Sequence, residues 1–200
     1  MRFTRRAGAV QVKLDRVEAG VLSSIVGDLL ELLAEADSDL NPHPGPGPDL
    51  GSDVGPAAGP EQDPLAAMVG LPTGPVERPS DPALARLLPD AYGDDDQAAA
   101  DFRRYTEADL RTGKRANAAV VLTTLAPYLD KGGKLALDRE QADAWLGCLN
   151  DLRLVLGTRL EVTEETELDL RRDDPRAQAL TVYGWLGWLQ ESLLEAMTSG

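Results

Sequence analysis

Apolar positions recur along this chain with two periods, marking a short strand-forming start followed by a series of amphipathic helices. Val10, Val12 and Leu14 alternate with Ala9, Gln11 and Lys13, the pattern of a strand with one buried face. Ala7-Gly8 supplies a turn, and Met1–Arg6 pairs back with Phe3 inward. A lone hairpin is marginal in water, so this one must dock on a larger body.

Helical spacing takes over at once. Asp15 and Glu18 form a capping-box start, and Val17, Val21, Leu22, Ile25, Leu29, Leu32 and Leu33 then mark one face, fading at Glu35–Asp37. Asp94–Arg111 carries Ala98, Phe102 and Tyr105 on one side, with Gly113 as a stop. A further helix restarts over Lys114–Leu125 with Ala116, Ala119, Val120 and Thr123, and ends near Pro127. Lys131-Gly132-Gly133 reads as a loop. Asp138 caps a helix to Leu160 whose stripe is Trp145, Leu149, Leu152, Leu156 and Leu160. An acidic connector, Glu161–Asp174, leads to a last helix that begins at Asp174-Pro175 and runs to about Met197.

Between the first and second helices the pattern breaks. Eleven of the twenty residues 41–60 are Pro or Gly. With so few large apolar side chains, such a segment cannot offset the entropy of ordering itself. The composition predicts a long disordered acidic Pro/Gly-rich loop over about residues 38–80, holding the single histidine, His43. Short helical turns are expected at Asp63–Val69 and Asp81–Leu88, each opened by Asp-Pro. Residues 1–36 are too few to bury a core alone, so the loop interrupts one domain. The fold class expected is mainly α: a helical bundle with a small N-terminal β-hairpin, residues 81–200 forming the helical body.

Composition narrows the chemistry. The formal net charge is −14 over 200 residues, which opposes broad attraction to nucleic acid or anionic lipid. That charge is uneven: residues 37–96 hold twelve acids against two bases, whereas the start of the chain and residues 101–115 are basic. One cysteine excludes an intramolecular disulfide. The N-terminus has no apolar run of a signal peptide, and the most apolar stretch, Leu180–Leu189, is about half a bilayer span. These features predict a cytoplasmic protein. Zinc-type ligand spacings, a glycine-rich phosphate loop and His- or Cys-based dyads are absent from the sequence, so no metal, cofactor or catalytic site is expected. Carboxylate-only chemistry stays open, although the acids cluster in connectors.

Four constellations have a functional and a plain reading. Arg103, Arg104, Arg111, Lys114, Arg115 and Asn117 lie on a helix, glycine turn and helix, an arrangement that places a recognition helix in the major groove. The plain reading is a solvated face pairing with Glu107 and Asp109. Arg2, Arg5, Arg6, Lys13 and Arg16 give the hairpin either a phosphate-contacting arm or a wet face. Cys148 sits at the edge of the apolar stripe, as a small buried hydrophobe or as a redox-sensing thiol. Tyr183, Trp185 and Trp188 make the last helix apolar on nearly every side, so it is central to the bundle or offers an interface to a partner or a second copy.

Three stretches carry a resemblance: the start Met-Arg-Phe-Thr-Arg-Arg, the run from Trp145 through Gly-Cys-Leu-Asn-Asp to Leu160, and the closing Tyr183-Gly-Trp-Leu-Gly-Trp-Leu-Gln190. Together they resemble an actinobacterial family catalogued as a domain of unknown function and associated with AosR-type oxidative-stress regulators. The resemblance implies an intracellular protein connected with redox-responsive transcription; taken with the basic segment Arg103–Arg115, it makes a non-enzymatic regulator acting through DNA or RNA polymerase contacts the leading expectation. It also implies a gene neighbourhood with the ClpS adaptor and metallopeptidase-dependent cysteine synthesis. A dithiol switch within one chain would need two cysteines, and Cys148 is alone. A protein-interaction adaptor or homodimer using the Trp-rich helix is the alternative.

Overall fold

The computed structural model describes residues 1–6, 8–40, 77–166 and 175–199. Of the loop expected over about 38–80, residues 41–76, with His43 and the turn at Asp63–Val69, lie outside the described residues, as do residues 167–174 of the acidic connector, whereas residues 38–40 belong to a helix.

The hairpin forms as the alternation predicts. Strands β1 (Phe3–Arg6) and β2 (Ala9–Leu14) pair antiparallel with Phe3 opposite Val12 and Arg6 opposite Ala9. Gly8 turns the chain at φ +83°, a conformation glycine adopts without strain. A third strand, β3 (Gly133–Leu137), takes in Gly133 of the expected loop and the four residues after it, pairs antiparallel with β2 and completes the sheet in the order β1-β2-β3. Its alternation is only five residues long, and its partner lies at the other end of the chain. One face of the sheet is dry: Phe3, Val10, Val12, Leu14, Leu135 and Leu137 are all buried.

Five helices stand among the described residues, and the last two of them pack on the sheet. Helix α1 (Arg16–Leu40) runs past the expected fade near Asp37 and starts with the anticipated reciprocal cap, Glu18 N–H to Asp15 Oδ1 at 2.9 Å and Asp15 N–H to Glu18 Oε2 at 2.8 Å. Helix α2 (Pro82–Leu87) is the short Asp-Pro turn, with Asp81 accepting from Ala83 and Leu84 N–H. Helix α4 (Arg139–Arg159) carries a full capping box between Asp138 and Gln141. Helix α5 (Ala177–Thr198) closes the chain. One continuous core draws on the sheet and on these five helices, α4 lying between α5 and the long helix α3 (Asp96–Leu125), with Trp145 fully buried in it.

Helix α3 corrects the sequence reading twice. It is one uninterrupted helix, Asp96–Leu125, so the expected stop at Gly113 and the helix-turn-helix built on it do not form. A helix-interior glycine costs only about 1 kcal/mol, and anchors on both sides of Gly113 hold the helix to the same body. The inward face also differs. Ala99, Arg103, Glu107, Arg111, Ala118, Val121 and Leu125 are buried, whereas Phe102 and Tyr105 are 40% and 56% exposed, and Ala116, Ala119 and Thr123 are exposed too. Following the apolar residues selected the wrong side, because in its first half the buried ridge is largely ionic.

Candidate functional site

The basic residues of α3 are engaged within the chain. Arg103 pairs with Asp90, which follows α2, and Arg111 pairs one turn back with Glu107, both side chains of the latter pair being 4% exposed. Lys114 Nζ reaches Asp151 Oδ1 on α4 at 2.6 Å, and Arg115 Nη2 donates to the Leu33 carbonyl of α1 at 2.5 Å. Arg104 lies over the Tyr105 ring, 5.3 Å from its centre. Asn117 packs closely on Gly147 of α4, where a Cβ would lie 2.7 Å from its Nδ2. These six residues thus fall on the inward and flanking sides of one helix rather than on an exposed recognition helix. The N-terminal arginines lie elsewhere, beside the last turns of α5: Arg2 pairs with Glu195 at 3.4 Å, and Arg5 donates to the Met197 carbonyl at 3.2 Å.

Cys148 sits in the core, 1% exposed. Burial, and after it the negative charge of Asp151, push its thiol up to about 12. Asp151 is itself raised above the usual carboxylate range: burial outweighs the opposing hydrogen bond and charge of Lys114. A thiol held in this way is almost wholly protonated at neutral pH and is a poor nucleophile.

On α5, Tyr183 packs against Gly157 and under the Arg153 guanidinium, 5.4 Å from its ring centre. Trp185 is partly buried against the core, and Trp188 is 42% exposed. Among the described residues, exposed aromatic surface is found chiefly at the start of α3, where Tyr92 and Phe102 meet edge-to-face with ring centres 6.0 Å apart. The side of the helix that the apolar spacing groups as Ala98, Phe102 and Tyr105 thus leaves both rings exposed.

Beside those rings lies a cavity of about 430 Å³, between α2, the connector to α3 and the C-terminal end of α4. Arg78, Arg86 and Arg103 line it with Asp90, Asp96, Tyr92 and Thr158. Arg78 and Arg86 fall in and just beyond the expected disordered loop, so no pattern brought them to Arg103. The one legible signal was the Asp81-Pro82 cap. Asp81 also fixes this corner by accepting from Arg159 Nη2 at 2.6 Å. Burial alone would raise the Asp81 carboxyl, but the Leu84 N–H, Arg159 and the Ala83 N–H together hold it below the usual range. No group of three or more His, Cys, Asp or Glu among the described residues is placed to hold a metal ion, and none of their helices is long and apolar enough to cross a membrane.

The chain is 34% identical over 190 residues to the protein named Oxidative stress regulator AosR in Mycobacterium tuberculosis, covering 88% of this chain and 77% of that relative. The Mycobacterium bovis protein of the same name matches with the same figures. The Mycobacterium leprae protein named Putative oxidative stress regulator AosR is 33% identical over 193 residues, covering 90% of this chain and 78% of that one. No solved structure matches. The profile described as Domain of unknown function (DUF2017) matches residues 1–197, and the chain belongs to that family.

Proposed function

We propose that this protein is a non-enzymatic regulator of the oxidative-stress response that works through protein contacts, RNA polymerase among them, rather than by reading duplex DNA. The regulatory part rests on the mycobacterial relatives named oxidative stress regulators, aligned over 88–90% of this chain. The mode of action rests on one observation: the arginines and lysine that would contact phosphates from α3 are held by Asp90, Glu107, Asp151 and the Leu33 carbonyl. Releasing them would leave buried carboxylates unpaired, a cost that nonspecific phosphate attraction does not meet in a chain of net charge −14. Exposed Tyr92, Phe102 and Tyr105 are residue types common at protein interfaces.

Transcript profiling of a deletion strain and its complemented parent, with and without peroxide, tests the regulatory role. A peroxide-dependent difference restored by complementation is expected, and identical profiles would refute it. Binding of the purified chain to purified RNA polymerase and to its own upstream duplex, measured at low and moderate salt, tests the mode. Polymerase binding without DNA binding is the expected result; the reverse would return the reading to direct DNA contact.

A second reading, assembly of the chain with itself, is favoured by Trp188 and Leu194, 42% and 50% exposed on α5. Light scattering of the wild type and Trp188→Ala decides it: a dimer that dissociates on substitution supports it, and a strict monomer removes it.

A further inference from the structure

The cavity beside α2 lies apart from the Trp188 and Leu194 surface of α5. Its size falls in the range of small-molecule sites, roughly 300–1,000 Å³. Its chemistry differs from that of the rest of the chain. Three arginines face two aspartates inside it, whereas acids exceed bases by fourteen over the whole sequence.

The three arginines are held to different degrees. Arg103 is buried and pinned by Asp90, so its charge is a fixed part of the wall. Arg78 reaches the other oxygen of the same Asp90 at 3.5 Å while its side chain remains 65% exposed, a long and wet contact that an incoming anion can replace. Arg86 lines the cavity with no carboxylate partner among the described residues. Asp90 thus serves two of the arginines, and even with Asp96 also on the wall the cationic groups outnumber the acids by one. Planar guanidinium forks suit phosphate or carboxylate.

The remaining lining supplies a surface for something flat. Pro82, Ala85 and Pro89 are apolar, and Tyr92 is 51% exposed with its ring braced edge-to-face by Phe102. We propose that this cavity binds a small organic anion, a phosphate or carboxylate carried on a flat aromatic body, with Arg86 and Arg78 taking the anion and Tyr92 packing on the ring. On the regulatory reading such a ligand is an effector, but the binding itself does not depend on that reading.

Isothermal titration calorimetry of the full chain tests the site with adenosine monophosphate and benzoate as the two anion types, and adenosine and inorganic phosphate as their separated parts. At least one aryl anion is expected to saturate with a dissociation constant below about 1 mM, and which one does so distinguishes phosphate from carboxylate. Adenosine and inorganic phosphate are each expected to bind at least about tenfold more weakly. Arg86→Ala should weaken binding about tenfold and Tyr92→Ala several-fold, while Arg139→Ala, at an exposed pair on α4, leaves it unchanged. Thermal melts of each variant confirm that it folds. No saturable heat with either aryl anion up to about 10 mM overturns the proposal. So does binding that survives Arg86→Ala unchanged, or inorganic phosphate binding as tightly as adenosine monophosphate.

Discussion

The Lys114 ammonium on α3 stands 2.6 Å from Asp151 Oδ1 on α4, with only 13% and 4% of the two side chains exposed. The pair joins the middle of the long helix to the core helix that carries Cys148, one turn before Asp151. A buried pair of this kind adds little net stability when intact, but losing one partner strands the other.

Lys114→Met is therefore expected to lower unfolding stability by about 3 kcal/mol near neutral pH, whereas the double variant Lys114→Met/Asp151→Leu recovers most of the loss. The pH dependence follows from Asp151. Its folded pKa lies above the unfolded value because burial outweighs Lys114. Its favourable contribution is therefore present below the unfolded pKa and lost as pH rises through the folded one. Removing Lys114 raises that pKa further. The deficit of Lys114→Met relative to wild type should narrow in urea titrations as pH falls from neutral towards the ordinary carboxylate range. A deficit constant over that interval would show that Asp151 is not the stranded charge.

Cys148 should resist oxidation in the folded chain. The residue is 1% exposed and its thiol is pushed up to about 12 by burial and then by Asp151, so thiol reagents and peroxide are expected to label it only after denaturation. Cys148→Ala should keep any peroxide-dependent regulation and cost about 1–2 kcal/mol of stability through the small cavity it leaves. Mass spectrometry of peroxide-treated native protein checks this, and a sulfenic or mixed-disulfide adduct at Cys148 in folded protein contradicts it.

Two glycines should respond in opposite directions to alanine. A Cβ on Gly113 would meet nothing within 4 Å inside the uninterrupted α3, so Gly113→Ala is expected to stabilise by about 0.5–1 kcal/mol. Gly132 has φ +65°, and its Cβ would lie 2.6 Å from the Leu14 carbonyl oxygen. Gly132→Ala is thus expected to cost about 2 kcal/mol or more as β3 is pushed from β2. Melting temperatures measure both. Destabilisation by Gly113→Ala would restore the turn that the sequence suggested.

Trp145 connects the sheet to the bundle. Fully buried, it meets Phe3 edge-to-face at 5.7 Å and donates Nε1–H to Thr124 Oγ1 at 2.9 Å. Thr124→Val removes the acceptor while keeping the shape and should cost about 1–3 kcal/mol. Trp145→Ala should cost about 3–5 kcal/mol. Equal effects of the two substitutions in chemical denaturation would mean that the ring contributes nothing beyond its hydrogen bond.

Where local pattern and tertiary environment agree, the sequence could be read directly. The caps at Asp15, Asp81 and Asp138 and the alternation of Val10, Val12 and Leu14 are decided by neighbours within a few residues, and each appears where expected. The inward placement of Phe3 and the stripe through Trp145, Leu149 and Leu152 follow from the same local rules. The candidate site was less legible. Its lining comes from Arg78, Arg86, Arg103 and Thr158, spread over much of the chain, and no spacing links residues that meet only after the helices pack.

The amino-acid order by itself determined a helical body with a stranded N-terminal edge, because hydrophobic periodicity and capping act over one or two turns. Tertiary structure decided which side of α3 faces inward. Arg103, Glu107, Arg111 and Lys114 can be buried only because carboxylates or guanidinium groups from Asp90, Asp151 and their own neighbours arrive to pair with them. It also decided that Gly133–Leu137 is a strand, since five alternating residues acquire that state only when β2 supplies the hydrogen bonds.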